Sequence, residues 1–85
     1  MNKRCQKLLQ KAQNSANNFR FNDLCKLAEC FGWKFKNQEG SHLIYKNDEL
    51  DLIQGCRQNF QNKDGKAVLY QVRQLLKAID LLDEN

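Results

Sequence analysis

The sequence predicts an α+β fold: two helices, a three-stranded antiparallel sheet and a closing helix, in the order α-α-β-β-β-α, with the helices on one face of the sheet. Two observations carry that prediction. Apolar residues recur at helical spacing before Gly32 and after Lys66, and alternate with polar ones in between. That change from a 3.6-residue to a 2-residue period separates helix from strand. The connections between alternating segments are also short, and short turns join antiparallel neighbours. Helices then cover one sheet face and leave the other to solvent.

Cys5, Leu8, Leu9 and Ala12 form the apolar stripe of a first helix, which is otherwise Lys, Arg, Gln and Asn, and Asn14 to Asn18 breaks it. A second helix is expected from Asn22-Asp23, whose short polar side chains suit a cap. Leu24, Leu27, Ala28 and Phe31 lie on one side of it, Phe21 a turn earlier, and Gly32 ends it. Trp33-Lys34-Phe35-Lys36 alternates apolar and basic as a half-buried strand does. Asn37 to Ser41 is a turn, His42 to Lys46 a second strand, Asn47 to Glu49 another turn and Leu50 to Gln54 a third strand. Cys56 to Lys63, rich in Gln and Asn, reads as loop and Asp64-Gly65 as a turn. A last helix runs from near Ala67 to Leu82, with Leu69, Val72, Leu76 and Ile79 on one side.

With 85 residues the chain has room for one domain and one modest core. A domain this small buries only about 60% of its unfolded surface, so a separate cofactor domain is excluded and no cofactor is expected. It has no proline and four glycines, so nothing reads as a linker. No apolar run approaches the roughly 20 residues of a membrane span, and the charged, amphipathic start does not resemble a secretory leader. Four cysteines without a Cys-x-x-Cys pair, and a single distant histidine, do not read as a metal site. They are expected to be reduced thiols of a cytoplasmic protein. The net charge is +4, and Lys3, Arg4, Lys7, Lys11 and Arg20 all precede the first acid, Asp23. A basic surface favours polyanions through faster encounter and counterion release.

Strand alternation assigns faces. If Trp33 and Phe35 point to the helices, Lys34 and Lys36 face the open side. On the next strand Leu43 and Tyr45 make the core pair, so His42, Ile44 and Lys46 point outward. His42 is then expected on an exposed face near Lys34, Lys36 and Lys46, with Gly40 and Ser41 before it able to admit a phosphate close to the backbone. Neutral histidine can take the proton of a ribose 2′-OH, and lysines can steady charge developing on the phosphate. Periodicity and charge alone do not make His42 catalytic, since a histidine opening a strand is also an ordinary surface residue. Ser41 and His42 do not form a hydrolase dyad on this reading, because strand neighbours point to opposite faces.

At Gly40-Ser41-His42 the order of elements becomes informative. Phe21 to Ile79 resembles the HicA family of bacterial toxins, mRNA interferases with a double-stranded-RNA-binding-domain-like fold. The matching features are Phe21, Leu24 and Leu27, then Gly32-Trp33, then Gly40-Ser41-His42 with Leu43-Ile44-Tyr45, and finally Gly65-Lys66-Ala67 with Tyr70-Gln71-Val72-Arg73-Gln74-Leu75-Leu76-Lys77. Many relatives carry a basic residue and a proline where this chain has Val68-Leu69. The resemblance implies a HicA-like core over residues 19–82, with residues 1–18 as a helical extension of one domain spanning residues 1–85. It implies metal-independent cleavage of mRNA with His42 as the catalytic residue, Gly40 and Ser41 shaping its loop, and a HicB-type antitoxin as partner. No metal and no membrane are expected.

Lys34, Lys36, Lys46 and Lys66 are the phosphate-binding candidates beside His42. Lys66, Arg73 and Lys77 are expected close to one side of the last helix, Arg73 and Lys77 one turn apart, as a candidate ridge for an RNA backbone or a solvated helix face. Tyr45 and Trp33 are expected in the core, and Asp48, Glu49 and Asp51 at a polar hairpin tip. Two other functions fit the same residues: a non-catalytic RNA-binding module, and an interaction protein working through the first helix.

Overall fold

The computed structural model describes residues 3–50 and 56–84. Its helices are α1 (Lys3–Asn14), α2 (Phe21–Cys30) and α3 (Leu69–Glu84), and its strands are β1 (Lys34–Glu39), β2 (His42–Lys46), β3 (Arg57–Lys63) and β4 (Lys66–Ala67). The strands form one antiparallel sheet in the order β1-β2-β3-β4. The class is α+β as expected, but the sheet has four strands rather than three, in the order α-α-β-β-β-β-α.

The third strand is not where alternation put it. Leu50 closes a short 3-10 turn (Asp48–Leu50) and is fully buried. The rest of the expected strand, residues 51–54, lies outside the described residues. The segment read as loop, Cys56 to Lys63, supplies β3 instead. Its pattern has one large apolar residue, Phe60, and places Gln58 in the core beside it, so polarity concealed a strand that cross-strand pairing makes.

The turn after it explains the fourth strand. Asp64 and Gly65 both have positive φ, 53° and 87°. Two such residues form the tight primed turn whose twist suits a hairpin, so strands are required on both sides. Lys66 and Ala67 are therefore strand, and α3 starts at Leu69. β4 also ties down the chain before α2: Ala67 N–H donates to Phe19 O (2.9 Å) and Phe21 N–H to Gly65 O (3.0 Å). That extended backbone makes Arg20 the residue before α2, without a side-chain cap, in place of the Asn22-Asp23 start expected.

α2 ends as expected at Gly32, with φ +100°. A Cβ there would lie 3.3 Å from Nδ2 of Asn47. Asn47 is buried, donating to Phe31 O (2.9 Å) while its side-chain oxygen accepts from Glu49 N–H (3.0 Å), so it locks the exit of β2 to the end of α2.

Ala12, Phe19, Leu24, Leu27, Trp33, Tyr45, Leu50, Phe60, Val72, Leu75, Ala78 and Ile79 meet in one core between helices and sheet. The buried side of α3 runs through Val72, Leu75 and Ile79, whereas Leu69 and Leu76 are half-buried, a slight rotation of the expected stripe. α1 is docked: Cys5 and Ala12 are buried, and Cys5 is joined to Cys30 of α2 by a disulfide. The expectation of reduced thiols therefore fails for this pair, since the stripe of α1 that contains Cys5 packs against α2. It holds for Cys25 and Cys56, which are free and half-buried. No described helix is long and apolar enough to cross a membrane.

Candidate functional site

The strand register lays side chains in rows. Glu39, His42 and Gln61 face one another across β1, β2 and β3, followed by Asn37, Ile44 and Asn59, and then by Lys34, Lys46 and Arg57. Residues directly opposite share a face, and alternation places His42, Ile44 and Lys46 on the same side. Tyr45 and Phe60 belong to the core, so the His42 side is the one turned away from the helices.

His42 is half-buried, and its Nδ1–H donates to the side-chain oxygen of Asn59 over 2.7 Å. With the proton on Nδ1, Nε2 keeps its lone pair and can accept one. Gly40 and Ser41 form the two-residue hairpin that delivers the histidine. Gly40 has φ +62°, while nothing stands within 4 Å of an added Cβ. Backbone conformation, not space, requires glycine here, as in a hairpin turn with positive φ only at its first central residue. Ser41 sits in the turn, and its hydroxyl accepts from Gln61 Nε2 at 3.3 Å. It therefore leans toward the residue opposite His42, not to the other face.

The lysines do not ring the histidine as alternation suggested. Lys34 and Lys46 do lie together on its face, with Arg57 beside them, but four residues along β2. At about 3.3 Å per residue that is roughly 13 Å from His42. Lys36 falls at the irregularity between Phe35 and Asn37, where the β1–β2 register shifts. Phe35 is 51% exposed instead of core, because β1 is an edge strand, although its ring still meets Tyr45 edge-on at 5.8 Å. Ile44, expected to face solvent, is 2% exposed. The Arg57–Glu39 ion pair (3.5 Å) joins the rows on either side of it. Glu39 lies in the His42 row on one flank of β2 and Arg57 in the Lys46 row on the other, so their bridge crosses over Ile44.

Lys66 is exposed on β4 directly opposite Lys63, one row beyond Gln61 on the same face by alternation. His42 thus stands between two basic groups, Lys63 with Lys66 at one end and Lys34, Lys46 and Arg57 at the other. Arg73 and Lys77 are exposed on α3, in the helical layer, where they meet the row system only at Arg57. Like charges set directly opposite on a sheet are destabilising, yet Lys34–Lys46, Lys46–Arg57 and Lys63–Lys66 are all such pairs.

Sequence reasoning missed Arg57, Asn59, Gln61 and Lys63, because all four lie in the segment read as loop. The Asp64-Gly65 pair was the signal that could have found them, since a primed turn presupposes a strand before it. No family model, curated protein or solved structure matches the chain.

Proposed function

We propose that this protein is an RNA endonuclease toxin of the HicA type, a metal-independent mRNA interferase of the cytoplasm restrained by a HicB-like antitoxin. The observation that carries the reading is His42, fixed by Asn59 on the sheet face turned away from the helices, with like-charged cross-strand pairs at both ends. The repulsion built into those groups is relieved when a polyanion lies across them, and phosphate contacts dominate affinity for nucleic acid. The sequence resemblance through Gly40-Ser41-His42 supplies the reaction class.

In this mechanism neutral His42 takes the proton of a ribose 2′-OH at Nε2. The 2′-oxygen forms a bond to the adjacent phosphorus and the bond from phosphorus to the 5′-oxygen breaks. That oxygen takes up a proton from water, and His42 returns its own to solvent, leaving a 2′,3′-cyclic phosphate and a 5′-hydroxyl end. Lys63, two residues beyond Gln61, is the nearest cation to steady the charge on that phosphate, while the Lys34 and Lys46 row, roughly 13 Å away, holds phosphates further along the backbone. His42→Ala is expected to abolish RNA cleavage and growth arrest with the fold intact. A purified mutant that degrades a long mRNA at the parental rate refutes the assignment.

The basic rows would equally serve a non-catalytic RNA-binding module. Incubation with mRNA in chelator separates the two, because salt-sensitive binding that leaves the RNA intact selects the module. A neighbouring gene encoding a protein with a DNA-binding half would support the antitoxin pairing.

A further inference from the structure

We infer that the groove between the start of β3 and α3 is a second subsite for RNA, taking one unpaired nucleotide with its base on the ring of Tyr70 and its flanking phosphates on Arg73, Lys77 and Arg57. The inference rests on the RNA reading above and adds the strandedness of the substrate and a site outside the His42 face.

The groove has a volume of 570 Å³, and Arg57, Tyr70, Arg73, Gln74 and Lys77 are among the residues that line it. None of its described lining residues is acidic, and Arg57, also ion-paired with Glu39 at the surface (3.5 Å), must exchange that carboxylate for a phosphate. Tyr70, Arg73, Gln74 and Lys77 follow the i, i+3, i+4, i+7 spacing of one helix face, a position where an ordinary surface helix would carry mixed charge. Tyr70 is 67% exposed. It is nevertheless held in place, because Gln74 Nε2 donates to its hydroxyl at 2.7 Å. An exposed aromatic ring pinned by a neighbour and bracketed by cations offers a stacking plane with charge on either side.

The sheet keeps the groove open. β4 pairs only with Asn62 and Lys63, so among the described residues no strand covers the earlier part of β3 on that edge. Gln71 accepts from Gln61 N–H (2.8 Å) and closes that edge one step further along, leaving Arg57 and Gln58 at the groove. Arg57 also ends the row of Lys34 and Lys46, which makes it common to the groove and the His42 face. A strand crossing that face has a continuous cationic path around the sheet edge to Tyr70.

The ring argues for unpaired RNA rather than a duplex or an acidic peptide. A base offers its π-face to a protein ring only when it is out of a duplex stack. An acidic peptide would use the three cations and gain nothing from the ring.

The test is binding of a single-stranded 2′-O-methyl oligonucleotide, which lacks the attacking hydroxyl and stays whole, followed by fluorescence anisotropy. Tyr70→Ala should weaken binding by about 10-fold, the effect of losing one stacked base, and Tyr70→Phe should stay within about 3-fold because the ring remains. Removing Arg73 or Lys77 should lower the salt slope by about 0.7 each. The inference is overturned if Tyr70→Ala binds like the parent, or if a duplex of the same sequence shows the same dependence on Tyr70. It is also overturned if a poly-glutamate peptide competes as well as the oligonucleotide does. The two readings fail separately. Tyr70-dependent binding by a chain that cuts no RNA would sink the nuclease and leave the subsite. Cleavage and binding unchanged by Tyr70→Ala would sink the subsite and leave the nuclease.

Discussion

At Asn59 an amide oxygen accepts from Nδ1 of His42 over 2.7 Å, and this bond decides which ring nitrogen is left free. A side chain that fixes a tautomer acts through orientation. Asn59→Ala should therefore lower kcat for RNA cleavage by up to about 100-fold, as small misplacements of a reacting group do, with little change in KM. Asn59→Asp keeps the acceptor and adds a negative charge that favours the imidazolium, so the acid limb of the pH–rate profile should move to higher pH. A variant with parental kcat and an unmoved profile would remove Asn59 from the mechanism. The outward phase of His42 and Lys46 was legible from alternation alone. The burial of Ile44 was not, because the neighbouring strand β3 shows no apolar alternation and was not expected beside it. Asn59 was hidden for the same reason.

Among the elements, α1 could be read from its apolar stripe and α2 from a stripe with a glycine stop, while the β1–β2 hairpin was read with too long a turn, since Asn37 to Glu39, polar and expected in the turn, extend β1. β3 could not, since Gln58 occupies a core position that polarity assigns to solvent. The link between α1 and α2 was equally invisible, because two cysteines 25 residues apart reveal no pairing until both helices are placed. A closed loop of that length should stabilise the fold by about 3 kcal/mol through loss of unfolded-state entropy. Reduction, or Cys5→Ser, is expected to lower the melting temperature by roughly 10–20 °C for a domain of this size. Calorimetry with and without reductant checks it, and an unchanged Tm would mean that packing of Ala12 and its neighbours alone secures α1.

For the molecule as a whole, net charge pointed to a polyanion, while the geometry distributes that charge over two ends of one face and a separate groove. Stability should respond to alkali through a different pair. The Tyr45 hydroxyl is bonded to Cys25, and burial pushes both groups' pKa values up, with the Glu29 carboxylate adding to the rise and the bond to Tyr45 opposing it at the thiol. Both are neutral when protonated, so the folded chain holds these protons more tightly than the unfolded chain. Their contribution is complete below the thiol's ordinary value of 9.0 and is lost as pH climbs beyond it. Melting temperature measured from pH 8 upward should fall above about pH 9, and a flat profile would contradict the buried pairing. The register shift at Lys36 bears on the behaviour of many copies at once. β1 has its six residues exposed and one side unpaired by any described strand, the kind of margin on which further chains can stack into fibrils. By bending that margin and setting a charged lysine at the bend, the irregularity denies an incoming strand a straight template, so straightening it would favour aggregation without touching the interior.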